Sequence, residues 1–523
     1  MRRLAVAALA FAALSACTQA PEPPAGPAVT LRVLVGSELA DMQPILAEAA
    51  KETGVTVKMT FTGTLEGADT VAKGEADGAY DAVWFSSTRY LQTIQEAKKR
   101  LANTTRIMGS PVVLGVSKEA ATRLGRNPSW SDIATAAASD DLRFAMTDPA
   151  TSNSGFSALV AVAAALDGTG RALDAAAIDK IAPQLTGFFE GQQLTAGSSE
   201  WLTEAFVKTA TGKDQTTHLD GLINYESSLM SLNNSGKLQS PLTLIYPSDG
   251  VVSADYPLSL LAGAQDQVRD GYDRLTKYLK TEKVQQEIVR QTNRRASIPG
   301  VDLPRSAPRD LVELPFPDTR PAIEALLTAY YDRLKRPSRT VYVLDVSGSM
   351  EGERLASLKK ALSDLTGVNE TPSAKYCRFR SREEVVLLPF SDRPGDPQTF
   401  TVSETNPQPS RDEIRASTDS LVAVGHTAVY DSLITAYNSF APTDDRFHSI
   451  VLMTDGESNA GQTIADFRDY LPTAQTKVRV FPILFGEAAE QEMQEVATLT
   501  NGQTWDARTA DLGKVFCQIR GYQ

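Results

Sequence analysis

The sequence predicts an α/β protein made of a two-lobed sheet unit followed by a doubly wound sheet, and three observations predict it. From residue 30 to about 300, short apolar runs that end in small polar residues alternate with stretches of helical period, the pattern of a parallel sheet covered by helices on both faces. A proline-rich stretch from Pro299 to Pro317 breaks the alternation. From 337 it resumes, and Val341-Tyr-Val-Leu-Asp345-Val-Ser347-Gly-Ser349 reads as a buried parallel strand that delivers one acid and two hydroxyls to a loop.

In chain order, Met1-Arg-Arg precedes an apolar run, Leu4 to Ala13, too short to span a membrane, and Leu14-Ser-Ala-Cys17 follows. Residues 1–16 are therefore read as a signal peptide. Its end resembles a bacterial lipobox, which implies cleavage before Cys17, acylation of that thiol, and a protein lipid-anchored to a membrane of the bacterial cell envelope, periplasmic or surface-exposed. Residues 17–29, with Pro21, Pro23, Pro24 and Pro27, read as an extended tether. The rest, about 500 residues, suffices for two or three domains. A net charge of -12 with no basic run repels phosphate and excludes nucleic acid as a partner.

Residues 30–298 form the first unit. Leu31 to Val35, Val55 to Phe61 and Asp81 to Phe85 are strands, each running into hydroxyl-bearing residues before a helix. A second lobe starts near Pro111 and contains Phe144-Ala-Met-Thr147, followed by Asp148 to Gly155; Leu242 to Gly250 heads back toward the first lobe. Ligands in such sheets bind beyond the carboxyl ends of strands, where helix N-termini offer free N–H groups. The order resembles bacterial extracellular solute-binding proteins of the two-lobed, type 2 periplasmic kind. The resemblance implies cleft positions at Ser37, Thr64, Ser86, Ser152 and Ser154 holding a small molecule or peptide. Helix capping is the alternative role for each hydroxyl. No basic residue of the cleft is identifiable, so the ligand's charge stays open.

Residues 299–336 read as linker and docking helix: Pro321 lies in a first turn, and Ile323, Leu326, Leu327, Tyr330, Tyr331 and Leu334 form an apolar stripe. The last unit, 337–523, has strands at 340–345, 384–390, 449–454 and 478–485, separated by helices near 352–365, 411–422, 428–439, 462–470 and 487–500. Gly425-His426-Thr427 opens one helix, and Met453-Thr-Asp455-Gly456 ends one strand. An acid with hydroxyls suits a hard cation that takes oxygen ligands. Asp345-x-Ser347-x-Ser349 with the distant Thr427 and Asp455 is similar to the metal-ion-dependent adhesion site of von Willebrand factor A domains. The resemblance implies Mg2+ or Mn2+ held directly by Ser347, Ser349 and Thr427, with Asp345 and Asp455 acting through water. It also implies a partner protein whose acidic residue completes the coordination. His426 stands where bacterial members often carry glycine, and places a side chain at the rim.

With Cys17 assigned to the lipobox, Cys377 and Cys517 remain as a pair outside the reducing cytosol, and a disulfide is expected, two buried thiols being the alternative. Three scattered histidines make no zinc site, and no Walker loop, nucleophile elbow or kinase signature occurs. The expectation is a non-enzymatic binding protein whose metal site grips a protein and whose first unit holds a small ligand. The alternative is the solute receptor of an ABC-type transporter with the metal-site domain as an accessory.

Overall fold

The run Val29–Val35 is exposed only at Thr30 and Arg32 and is buried throughout its last three residues, and it becomes a central strand, parallel to Val55–Phe61 on one side and Ala82–Trp84 on the other. This computed structural model describes residues 26–304, 307–368 and 375–522; the expected signal peptide 1–16, Cys17 and residues 17–25 of the tether lie outside the described residues. The first lobe's sheet runs Val55–Phe61, Val29–Val35, Ala82–Trp84, Pro257–Leu261, Leu101–Arg106. The second is built around Met108–Val116, all nine residues buried, with Gly221–Tyr225, Phe144–Thr147 and Gln192–Ala196 beyond it.

The chain crosses between the lobes where Leu101–Arg106 runs on into Met108–Val116, and returns where Ser253–Ala254 runs on into Pro257–Leu261. The return comes later than the sequence suggests: Thr243–Ile245 pairs with Met108–Val116 and stays in the second lobe. The return turn is pinned by two donors, since the N–H groups of Asp255 and Tyr256 both reach the Ser86 carbonyl at 3.0 Å. Tyr256 holds a left-handed φ of 43° there, a conformation a bulky residue adopts only when its surroundings impose it. Gly155 shows a second close fit: a Cβ would lie 2.1 Å from the Thr147 carbonyl oxygen, so only glycine lets the helix Asn153–Asp167 seat against that strand end.

The proline-rich stretch is strapped to the second lobe, with Val251 N–H donating to the Val312 carbonyl at 2.9 Å and Leu314 N–H to the Val251 carbonyl at 2.8 Å. Thr319 then caps the helix Arg320–Ala329, which has proline in its first turn and continues as a π-helical turn, Tyr330–Leu334. All six residues of the expected stripe are buried in the core shared with the second lobe. The docking partner is thus the first unit, through the helix Ala175–Glu190 and rings such as Phe189, 4.9 Å from Tyr330.

The last sheet runs Gln398–Thr401, Glu384–Phe390, Ser338–Asp345, Phe447–Thr454, Arg479–Leu484, Trp505–Asp506. Alternation along Ser338–Asp345 feeds two cores: Tyr342 and Leu344 face one, Val341 and Val343 the other. Helices on both faces make it doubly wound. The antiparallel edge strand Gln398–Thr401 and the short Trp505–Asp506 are additions that the periodicity did not reveal. No described helix is long and apolar enough to cross a membrane.

Candidate metal centre and ligand cavity

Register places the first site. Leu344 pairs with Met453, so Thr454 and Asp455 emerge beside Asp345 at the carboxyl edge of the sheet. Asp345 is fully buried; its Oδ1 accepts from Ser347 N–H at 2.8 Å and its Oδ2 from the Thr454 hydroxyl at 2.7 Å. The Ser347 and Ser349 hydroxyls are 3.0 Å apart, and Ser349 donates to Asp455 Oδ1 at 2.8 Å. Gly348 N–H donates to the Gly425 carbonyl at 2.9 Å, which brings the loop carrying Thr427 alongside. Thr427 N–H donates to Asn459 Oδ1 at 2.9 Å, and Thr427 is buried while His426 is exposed at the rim. Gly425 turns that loop at φ 81°, where a Cβ would meet the Asp392 carboxylate at 2.6 Å.

The structure thus gathers the loop of Asp345, Ser347 and Ser349, the strand end of Asp455 and the loop of Thr427 at one edge. Burial is the first cause that pushes the Asp345 carboxyl up, hydrogen bonds from Ser347 and Thr454 pull it down, and Asp455 adds to the rise. Among the described residues no group of three or more His, Cys, Asp or Glu could hold a metal. This edge offers two carboxylates, and its remaining donors are hydroxyl oxygens. An all-oxygen set around a buried carboxylate that no basic side chain pairs among the described residues fits a hard divalent ion. Arg354 went unrecognised in the sequence: its Nη1 lies 2.5 Å from Asp455 Oδ2, so one of the two acids already has a positive partner. An arginine in the first turn of a helix carries no spacing signal that would have marked it.

The second site is a cavity of 660 Å3 beyond the strand ends of the first unit. Ser37, exposed at the start of the turn Ser37–Met42, and Ser152 line it, with Thr62 and Gly63. Thr64 opens the helix Thr64–Lys73 just behind them. Ser86 and Ser154 lie behind the wall. Ser86 is buried with its hydroxyl toward Glu38 and Tyr225. Ser154 meets the hydroxyls of Thr147 at 2.7 Å, Ser199 at 2.9 Å and Ser152 at 3.1 Å. Glu38 also lines the cavity, and burial pushes its carboxyl up. An acid in a first helical turn reads from sequence as a dipole partner, which hid it. Cys377 and Cys517 line the same cavity, joined with their Cα atoms 5.0 Å apart.

A two-lobed binding unit and a doubly wound sheet with an oxygen-lined edge define a binding protein of two joined modules. Residues 31–291 match the family model described as bacterial extracellular solute-binding protein, and residues 338–505 match the von Willebrand factor type A domain. The chain therefore combines an extracellular solute-binding domain with a von Willebrand factor A domain. Similar solved structures include the periplasmic binding protein AfuA from Actinobacillus pleuropneumoniae with exogenous fructose-6-phosphate bound, at 11% identity, covering 58% of this chain and 98% of that one, TM-score 0.45. Iron-bound HitA from Pseudomonas aeruginosa is 17% identical, covering 57% and 97%, TM-score 0.44. A von Willebrand factor type A protein from Catenulispora acidiphila is 17% identical, covering 36% and 42%, TM-score 0.30. No curated protein matches the chain.

Proposed function

We propose that this protein is a non-enzymatic binding protein of the cell envelope, lipid-anchored at Cys17, whose metal-site domain grips an acidic residue of a partner protein while its solute-binding domain holds a small ligand. The units are residues 30–298 and 337–523, joined by 299–336. The observation that carries the reading is the buried carboxylate of Asp345, held beside Ser347, Ser349 and Asp455 with no basic side chain paired to it among the described residues. Ser347, Ser349 and Thr427 are the residues to touch Mg2+ or Mn2+, and Asp345 and Asp455 those to hold it through water. The ion would supply an electrophilic, incompletely neutralised centre that a carboxylate from outside can satisfy. Exposed His426 and partly exposed Arg354 border that approach. The transporter-receptor alternative needs a cleft that can hand its solute to a permease, and the helix Leu512–Arg520 of the last domain lines this cleft instead.

The test is capture of partners from envelope extracts by the full-length protein in Mg2+, in EDTA, and with Asp345→Asn. The proposal expects specific capture in Mg2+ alone and none with the variant. Capture that is equal in EDTA contradicts it and favours the transporter reading. Mass spectrometry of the mature N-terminus tests the anchor, with an acylated Cys17 expected and an unmodified one removing the membrane claim.

A further inference from the structure

The 660 Å3 cavity is not enclosed by the two lobes alone. Its far wall comes from the last domain: Lys514, Cys517 and Gln518 of the helix Leu512–Arg520, then Gly521 and Tyr522. That wall is fixed in place. The Tyr522 ring meets Trp201 of the second lobe at 4.7 Å and Trp505 at 5.4 Å. Lys514 reaches Glu66 of the first lobe at 3.5 Å. Farther from the cavity, Arg479 pairs at 2.6 Å with Asp214, whose side chain is 1% exposed. Tyr331, from the docking helix, donates to the Asp148 carboxylate at 2.6 Å.

We propose that this cavity is one composite binding site for a small organic cation, an amine, and that the wall supplied by the last domain contributes to its affinity. The proposal rests on the reading that the solute-binding domain holds a small ligand, and it names that ligand's class. The size is within the roughly 300–1,000 Å3 of small-molecule sites. Among the described residues seven carboxylates and four cations line it. Three of those cations are already matched: Lys514 by Glu66, Lys360 by Asp364 at 2.8 Å, and Arg520 by Glu383 at 2.7 Å. An anion would therefore meet a net negative wall, whereas an ammonium would meet carboxylates such as Glu38 and Glu75. The aromatic lining points the same way. Phe61 is 45% exposed, and its ring lines the cavity together with those of Trp505 and Tyr522, while the rings of Tyr331 and Tyr376 already carry Arg380 at 4.4 and 5.6 Å. Aromatic faces attract cations.

The experiment is calorimetric titration of the full chain with four amine probes (1,4-diaminobutane, spermidine, choline and arginine), against sodium sulfate, sodium phosphate and glucose. Tryptophan fluorescence of the wild type is the second readout. Two variants place an indole in the cavity from opposite sides: Ser37→Trp from the first lobe and Gln518→Trp from the last domain, both at exposed positions, with melting curves confirming the fold. The expected result is saturable binding of at least one amine, none of the anions, and affinity at least tenfold weaker in each variant. Binding of sulfate, phosphate or glucose in preference to the amines, or of none of the probes, overturns the cation assignment. Amine binding lost in Ser37→Trp but unchanged in Gln518→Trp overturns the composite wall while leaving the solute-binding reading intact. Binding indifferent to both substitutions overturns both.

Discussion

The oxygen cluster and the cavity are built in opposite ways. The cluster is drawn from a single sheet, where the register of Leu344 with Met453 and a bond from Gly348 to Gly425 decide which groups meet. The cavity is drawn from three bodies, and no sheet register sets its geometry. Its positions depend on Tyr331 holding the docking helix to the second lobe and on Tyr522 and Arg479 holding the last domain there. Sites on one sheet edge tolerate distant changes, while sites at a joint inherit the joint's stability.

The largest expected effect falls on the joint. The Cys377–Cys517 bond closes a loop spanning 140 residues and anchors the wall helix. Replacing both cysteines by serine should destabilise the last domain by about 5 kcal/mol in the chain-entropy model. Chemical denaturation in oxidising buffer measures this, alongside a count of free thiols in the denatured wild type. A loss below about 1 kcal/mol, or two free thiols, would remove the bond from the account.

The next effect is pH-dependent and also belongs to the joint. Burial is the first cause that lowers the Lys335 amine, to about 8, against the pull of Asp148. Between that value and the ordinary lysine value of 10.5 the unfolded chain holds the proton and the folded chain does not, so stability should rise with pH there. The slope should approach about 1.4 kcal/mol per pH unit and vanish below the window, where both states are charged. Denaturation midpoints of wild type and Lys335→Met, compared from pH 7 to 10, read it directly; parallel curves would refute it.

The smallest effect sharpens the metal side. Arg354 competes for the carboxylate of Asp455, so Arg354→Ala should tighten Mg2+ binding by several-fold, about 1 kcal/mol for a partly exposed pair. Weaker metal binding in this variant would instead make Arg354 a supporting group.

The same contrast explains what the sequence revealed. Asp345 and Asp455 were legible because each stands at the end of an apolar strand, and Ser347 and Ser349 because they follow Asp345 at alternate positions in a short loop. Gln398–Thr401 was hidden because four residues are too few for a period. Among the cleft hydroxyls, Ser37 and Ser152 face the cavity while Ser86 and Ser154 bond within the protein. The strand ends at Val35, Phe61, Trp84 and Thr147 all run into hydroxyls, so local pattern could not separate the two kinds. The structure makes Leu512–Arg520 a helix with Leu512, Val515, Phe516 and Ile519 buried, and which of its polar side chains meet another domain is decided only by docking.

Titration calorimetry of Mg2+ and Mn2+ into the full-length protein, with Asp345→Asn beside it, tests the central claim most directly. The variant removes one charge and keeps a side chain of the same shape beside Ser347 and Thr454. The account predicts one ion bound by the wild type, affinity at least 100-fold weaker in the variant, about 2.7 kcal/mol, and an unchanged fold. A wild type that binds neither ion, or a variant that binds as well as it does, would contradict the metal-dependent reading of this protein.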